Sequence, residues 1–589
     1  MAATRWHLHD ATWQLRTSNG ACVTYQLVDF QQDVVAKCYG AYRDGARVVM
    51  PVLPTGAGKT VIMGHMAHEY QGFGCSIAHR GELVGQMSVA LAREGLRHDI
   101  IAPDSLIRTI VGAHMEEIGR SYYDARAKWK VASVDTLIRR ELPTTWTKQV
   151  GMVHGDEGHH FLRDNKWGRA LQLFDNAYGL LPTATPRRAD GRGLGRHADG
   201  VVDAMVEGPG MRWLIDNGYL TNYHVLMPLA EDLDMEGVTI TAQGDYNLDE
   251  TRKRVKASRK IVGDVVKCYL EHCRGMKGIT FAVDVEHATT IAAAFNAAGV
   301  PAAIVSATTP EAERRDYMRR FRKGDLLQLV NVDLFGEGVD VPGCQVVSMA
   351  RPTASYGLFT QQFGRALRLL VSPILRAAWH TYSVAARLQF IAESEKPLAY
   401  VIDHVGNIIK HQGTPDMRTF AWSLDAVQKK RGADDAIPLR ACRNEMCLQP
   451  YLRIYPACPY CGWAPPEPAD RSRPEFVDGD MHLYTPELLA ELFKARNKID
   501  GDFVEIPYGV THNSPIAQRL RNIHAANKAS QKLLRDVMAL VHPPTVDERI
   551  AQRKFFHTYG VDTLTAQGLP SAEADNLRQR ILQKVTGQC

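Results

Sequence analysis

Nothing in this sequence of 589 residues offers a membrane span, a secretion signal, a clear internal repeat or a low-complexity tract. The longest charge-free stretch, residues 287 to 310, is interrupted by Asn296, Gly299, Pro301 and several threonines. It reads as an Ala-rich buried helix, a turn and a short strand from Ala302 to Val305. Met1 to Leu15 carries Arg, His and Asp where a signal peptide needs an apolar core, so a cytoplasmic location without a membrane partner is the expectation. Charge of one sign is also scarce. Lys and Arg number 70 against 65 Asp and Glu, and the net +5 permits a polyanion partner without arguing for one. Cysteine outside one cluster is sparse: of 11 residues, four fall between Cys442 and Cys461, a distribution that excludes a secreted disulfide framework and points to metal. With 45% apolar and 23% charged residues the composition is that of an ordinary folded chain. At roughly 150 residues per domain, the length predicts about four structural units.

Organisation follows from the spacing of apolar runs. Val48 to Leu53, Cys75 to Ala78, Val131 to Val134 and Gly151 to Val153 read as strands, with Val61 to Tyr70 and Glu82 to Arg93 as helices. A second cycle begins near Ile261, with strands at Gly278 to Ala282, Ala302 to Val305, Leu327 to Val332 and Gln345 to Met349. Such alternation predicts parallel sheets flanked by helices, an α/β chain with two tandem units. The Gly-rich, charged stretch Arg188 to Gly200 suits an exposed loop, and the Pro-rich, charged stretch Pro465 to Arg473 suits a linker. Helical patterns at Pro486 to Ala495, Ile516 to Leu540 and Ala572 to Val585 imply a small helical module at the end.

Pro54-Thr55-Gly56-Ala57-Gly58-Lys59-Thr60 follows an apolar strand and opens a helix, the context of a phosphate-binding loop. Gly56 and Gly58 let the backbone curl so that its N–H groups, with those of Thr55 and Ala57, surround phosphate oxygens at a helix N-terminus. Lys59 then meets the β and γ phosphates of ATP, and the Thr60 hydroxyl ligates Mg²⁺. Leu53 stands where the generic pattern has Gly; the shorter Thr-Gly-x-Gly-Lys-Thr form is a helicase variant.

Asp156-Glu157-Gly158-His159 places two carboxylates at a strand end. Alone, such a pair is ordinarily a solvated turn; with the upstream loop, Asp156 is read as the Mg²⁺ ligand and Glu157 as the base that orients and deprotonates the attacking water. In the second unit, Gln361 to Arg368 carries Arg365 and Arg368 three apart, and therefore on one helix face. Their guanidinium forks suit a γ phosphate in transfer. If ATP lies between the units, both reach it only when the cleft closes.

The ordered set Phe30-Gln31, Pro54 to Thr60, Ala78 to Leu83, Asp156 to His159, Thr183-Ala184-Thr185-Pro186, Gly336 to Pro342 and Gln361 to Arg368 resembles superfamily 2 helicases of the DEAD/DEAH type, nearest to the XPB and RadD-like branch and its phage versions. The resemblance covers roughly residues 25 to 405 and implies two RecA-like domains. It implies that Gln31 reads the adenine edge, although Val28-Asp29 replaces the usual Arg-Pro before it. By the same resemblance, Thr183 and Thr185 would link the ATP site to domain closure, and Gly338 and Asp340 would contact nucleotide and strand. Arg80, Ser133 and Thr136 resemble the motifs that grip a nucleic-acid backbone, with Thr308 and Thr309 expected to do so from the second unit. For each Ser and Thr a local cap or turn is the competing reading. Gly158 stands where relatives often have Ala or Cys, a departure of minor weight. Phosphate contacts of this kind position a strand without reading its sequence. The run Arg252 to Lys260, six basic residues in nine, either adds electrostatic grip or is a solvated helix face.

Cys442-x4-Cys447-x10-Cys458-x2-Cys461 has the two near pairs of a tetrahedral four-sulfur Zn²⁺ site, read as structural because four ligands leave no open position. His154, His159 and His160 beside the acidic pair require no further metal. The domains expected are 1–215, an N-terminal segment with the first RecA-like ATP-binding domain, and 216–405, the second RecA-like domain. Residues 406–465 form a linker and zinc element, and 466–589 a helical accessory domain. The expected function is an ATP-dependent helicase or translocase acting on DNA in replication, recombination or repair, in a bacterial or phage-infected cell, with nucleic acid and unidentified replication or repair proteins as partners. A strand-annealing ATPase, an RNA helicase and a catalytically silent binding scaffold are the rivals.

Overall fold

The computed structural model describes residues 15–16, 22–23, 26–79, 81–188, 190–228, 241, 245–257, 260–306, 308–332, 343–417, 422–425, 439–441, 450–452, 481–490, 515–541, 555–556, 558–561 and 566–585. Two compact units result. The first comprises Met1–His411, Trp422–Val427 and Asp478–Pro486, and holds both large sheets; the second comprises Gln412–Ala421, Gln428–Val477 and Glu487–Cys589.

The strands of the two large sheets are numbered β1 to β14. Those of the first lobe are β1 (Val48–Val52), β2 (Phe73–Ala78), β3 (His98–Ile101), β4 (Trp129–Ser133), β5 (Val150–Gly155), β6 (Tyr178–Leu180) and β7 (Ala204–Glu207). They pair in the order β3-β4-β2-β5-β6-β1-β7, parallel throughout. Every residue of β1 is buried, as a strand covered on both faces requires. Helices return the chain between strands, and the loops after β1 and β5 emerge at the carboxyl ends of the sheet, where open α/β sheets place their ligands.

β5 runs through His154 and Gly155, two residues beyond the apolar run. The His154 ring lies fully buried, 5.0 Å from the Trp129 ring, and burial pushes its imidazole down to about 3, so it packs as a neutral aromatic. Gly155 leaves room that a Cβ would take from Leu181 and Phe161. The stretch 188–200 is not a free loop: Leu194 is buried in the core of the lobe, and the amides of Leu194 and Gly195 donate to the Leu424 carbonyl at 2.9 and 2.8 Å.

The second lobe contains β8 (Tyr223–Pro228), β9 (Gly278–Phe281), β10 (Ala302–Val305), β11 (Gln328–Asn331), β12 (Val346–Met349), β13 (Ala399–Asp403) and β14 (Met481–Tyr484), in the order β10-β11-β9-β12-β13-β8-β14. Only β14 runs antiparallel, pairing its Leu483 with Leu226 of β8. A strand drawn from the segment expected to be a helical accessory domain thus closes the edge of this sheet. The arginine helix, Tyr356–Ala366, follows β12.

In the second unit the helices Pro515–Val541 and Ser571–Val585 bury Leu534, Met538, Leu577 and Ile581 together with Phe555. Ser530 donates to Asp575 at 3.0 Å and Gln531 to the Leu569 carbonyl at 2.9 Å. A short antiparallel pair, Leu439–Ala441 with Pro450–Leu452, brackets residues 442–449. Cys442, Cys447, Cys458 and Cys461 lie outside the described residues, as do Arg80, Gly338 and Asp340. Among the described residues no helix is long and apolar enough to cross a membrane, and no three His, Cys, Asp or Glu side chains gather to hold a metal.

Candidate active site

The loop between β1 and the Lys59–Glu69 helix turns on two glycines in the left-handed region, Gly56 at φ 89° and Gly58 at φ 86°. Both also face close neighbours. A Cβ on Gly56 would lie 2.9 Å from Leu220, and one on Gly58 would collide with the Gln31 amide. Lys59 opens the helix and its Nζ donates to the Leu53 carbonyl at 3.3 Å. Burial lowers the pKa of this ammonium. The Glu157 and Asp156 carboxylates oppose that shift, while the Arg368 and Arg365 cations reinforce it. One lysine therefore feels, at short range, the acidic pair of its own lobe and both arginines of the other.

Gln31 is buried on the Asp29–Arg43 helix. Its Nε2 donates to the Ala57 carbonyl at 3.0 Å and its Oε1 accepts from the Val28 amide at 3.2 Å. One end of the side chain thus braces the phosphate-binding loop, and the other caps the start of its own helix. Thr183 sits beside β1, its carbonyl accepting from Leu53 N at 3.0 Å and its hydroxyl 2.9 Å from His159 Nδ1.

Glu157 adopts φ 51°, one of two non-glycine residues with positive φ among those described. For an L-residue that region costs about 1–2 kcal/mol, and such strain concentrates where a side chain must be aimed. Its carboxylate is buried, lies 3.5 Å from His159 Nδ1 and accepts from Gln361 Nε2 of the second lobe at 3.4 Å. Gly158 matters more than its minor weight in sequence suggested. A Cβ there would run into the backbone of Leu181, whose neighbour Pro182 accepts from the Gly158 amide at 2.9 Å.

Arg365 is 2% exposed, in the last turn of the arginine helix. Gly364 beside it packs on Thr55 of the phosphate-binding loop, where a Cβ would come within 2.6 Å of the threonine Cβ. Arg368 is not on the same helix face, because the helix ends at Ala366 with Leu367 as its cap. Arg368 instead follows the end, its stem lying where a Gly56 Cβ would touch it at 3.6 Å. Burial, with Arg376 alongside, lowers its guanidinium to about 10. The Arg368 carbonyl accepts from Lys396 Nζ at 2.8 Å, a buried lysine that sequence reading did not single out.

The other candidate contacts make local bonds. Ser133 caps the Val134–Arg139 helix, its hydroxyl accepting from Thr136 N at 3.1 Å and lying 2.8 Å from Thr136 Oγ1. The Thr309 hydroxyl accepts from Ser306 N at 2.9 Å, and Thr308 Oγ1 lies 2.8 Å from Ser306 Oγ. Gln361 enters the site beyond the residues assigned a role from sequence, and its placement four residues before Arg365, one turn away on the same face, is the signal that points to it.

Two lobes meeting over a phosphate-binding loop, an acidic pair and inserted arginines define a P-loop motor. The chain matches the family described as type III restriction enzyme, res subunit, over residues 24–188, and the helicase conserved C-terminal domain over residues 261–369. It is 28% identical over 415 residues to a 51.5 kDa protein of a Lactococcus phage, covering 69% of this chain and 76% of that one. It is 30% identical over 363 residues to the Saccharomyces cerevisiae protein IRC3, covering 58% of this chain but 49% of that protein. A fragment of an HsdR-type subunit from Vibrio vulnificus is similar at 19% identity and a TM-score of 0.45, covering 66% of this chain and 65% of that one. The chain belongs to the superfamily 2 helicases of the type III restriction and XPB-like type, and is an ATP-hydrolysing enzyme of that class.

Proposed function

We propose that the chain is an ATP-driven motor that translocates on DNA and separates its strands, with ATP held between the lobes. The observation that carries this reading is the shared cleft, where Lys59, Asp156 and Glu157 of one lobe act on the same space as Arg365 and Arg368 of the other. In it Lys59 and the amides of Thr55 to Thr60 hold the β and γ phosphates, and Gln31 turns from the loop to the adenine edge. Glu157 draws the proton from the attacking water, while Arg365 and Arg368 take up charge on the transferring phosphoryl group. Thr60 and Asp156 form a hard-oxygen donor set suited to Mg²⁺, beside a glycine cradle that no side chain could share. Bound there, Mg²⁺ would supply further neutralisation of phosphate charge.

Similarity to a restriction-enzyme subunit favours DNA over RNA as the strand. We assign Arg80, Ser133, Thr136, Thr308 and Thr309 to its backbone, and Gly338 and Asp340 to coupling strand and nucleotide. Ser133, Thr136, Thr308 and Thr309 would exchange the local bonds described above for phosphate oxygens. The domain division at 215, 405 and 465 is part of the same reading. So is a structural Zn²⁺ on Cys442, Cys447, Cys458 and Cys461, the first two of which fall in sequence between the paired segments Leu439–Ala441 and Pro450–Leu452. The test compares ATP turnover of the full chain with single-stranded DNA, forked DNA and RNA, followed by strand displacement on the fork. Stimulation by DNA with displacement is expected. Stimulation by RNA alone would reassign the strand, and stimulation without displacement would leave a remodelling or annealing ATPase.

A further inference from the structure

The arginine helix is entered through a tight turn, Arg351 to Ser355, that is gripped from two sides by residues far away in the chain. On one side Asn407, buried at the start of the Asn407–Lys410 helix, donates to the Arg351 carbonyl at 2.9 Å and accepts from Thr353 N at 2.9 Å. His411 Nε2 lies 3.0 Å from the Thr353 carbonyl, and its ring stacks on Phe359 of the arginine helix with centroids 4.7 Å apart. On the other side stands Asp245, in the connector between β8 and the Leu248–Ala257 helix. Its Oδ1 accepts from Thr353 Oγ1 at 2.9 Å and from Ala354 N at 2.7 Å, and its Oδ2 from Arg351 Nη2 at 3.3 Å. The next residue, Tyr246, is buried beneath Lys410, whose Nζ lies 5.5 Å from the ring centroid, so Asp245 is held from its own neighbour as well.

We propose that Asp245 is a positioning residue for ATP hydrolysis: it fixes the turn from which the arginine helix projects, and so sets where Arg365 meets the transferring phosphate. The proposal rests on the arginine role put forward above. A carboxylate that receives a hydroxyl, an amide and a guanidinium fixes the turn in rotation as well as in distance, and bonds to a charged acceptor are the stronger kind. The Ser355 side chain caps the helix by accepting from Leu358 N at 3.3 Å, and the Ser355 amide in turn donates to Thr353 Oγ1 at 3.1 Å. Thr353 therefore relays the grip of Asp245 to the first turn of the helix. Arg365 lies ten residues on, at the far end of that rigid lever, where a small rotation of the turn becomes a displacement of the order of 1 Å. Misplacement on that scale lowers turnover by up to about 10²-fold.

The experiment measures kcat and KM for ATP, nucleotide affinity and thermal stability of the full chain as Asp245→Ala, Asp245→Asn, Arg365→Ala and the double variant Asp245→Ala/Arg365→Ala. Asp245→Ala is expected to lower kcat by about tenfold or more, with KM and nucleotide affinity within about twofold. Asp245→Asn keeps an oxygen for Thr353 and Ala354 and should recover most of the loss. In the Arg365→Ala background, Asp245→Ala should add no further loss, because one residue acts through the other. If Arg365→Ala slows turnover but the two losses multiply, or Asp245→Ala lowers only thermal stability, the Asp245 proposal is overturned while the arginine reading stands. Wild-type turnover in Arg365→Ala would overturn both.

Discussion

Gly364→Ala should make the protein a worse ATPase without making it less stable, because two physical effects of one methyl group act on different things. Within the arginine helix, an 11-residue element in which Gly364 is buried, replacing Gly by Ala removes backbone freedom from the unfolded chain. That change ordinarily stabilises a helix by about 0.5–1 kcal/mol. Across the cleft the same Cβ would stand 2.6 Å from Thr55 Cβ and 2.9 Å from its Cγ2, against an ordinary carbon contact of about 3.5–4.0 Å. Closure with that methyl in place requires the lobes to stand back by about 1 Å. Arg365, the next residue, would retreat with its helix from the phosphate-binding loop, and a shift of that size lowers turnover by about 10²-fold. Steady-state ATP turnover at saturating nucleic acid, with calorimetric or fluorescence melting of the same preparation, separates the two effects. Thr55→Gly in the Gly364→Ala background reopens the space and should return part of the activity. Wild-type turnover in Gly364→Ala, with an unchanged or raised melting temperature, would refute the claim that this contact belongs to the working cleft.

Glu157→Gln and Lys59→Ala should each abolish turnover, and Arg365→Ala should lower it by about 10³-fold; a Glu157→Gln enzyme with wild-type activity would remove the acidic pair from the chemistry. Acid should destabilise the first lobe through His154, whose folded imidazole is held down to about 3 by burial against an ordinary 6.5. Between those values only the unfolded chain binds the proton, so stability is complete above pH 6.5 and falls toward pH 3. The loss at pH 5 is about 2 kcal/mol for this group. Urea unfolding at pH 8 and pH 5 should show that loss reduced in His154→Leu, and an identical pH dependence in the variant would contradict the assignment. Elemental analysis of purified protein should find one Zn²⁺ per chain, lost in Cys458→Ser; a metal-free, fully folded wild type would remove the zinc element.

What could be read from sequence was what local chemistry decides. The all-apolar run of β1 ending in Thr-Gly-x-Gly-Lys-Thr carries its own strand, turn and helix start, and the structure forms them within a residue or two of the expected bounds. Ala302–Val305 emerged as a strand because a turn and an Ala-rich helix delimit it. The misses share a cause. β14 is four residues, Met481 to Tyr484, in a stretch with no alternating pattern, and it becomes a strand only because β8 presents an unpaired edge to it. Arg365 and Arg368 have helical spacing, yet Leu367 caps the helix between them, and spacing carries no information about where a helix stops. The left-handed backbone of Glu157 has no residue signature at all, since Glu does not favour it.

The same division between local and distant explains how the site is built. Lys59, Arg365 and Arg368 bring three cations to a cleft whose acidic members are Asp156 and Glu157, so the side chains together carry a surplus of positive charge in partly dry surroundings. Burial is the main cause of the lowered pKa of both Lys59 and Arg368, with Arg368 and Arg365 adding to the first and Arg376 to the second, and burying like charges together is unfavourable for folding alone. A polyanion placed among them reverses the sign of the interaction, and two of the three cations reach it only from the second lobe. If ATP lies there as proposed, the approach of the arginines to the anion and lobe closure are one equilibrium, and hydrolysis, by dividing the anion, weakens what holds the lobes together. A cleft with balanced charge would bind its nucleotide with less dependence on closure and would transmit less of hydrolysis to the strand.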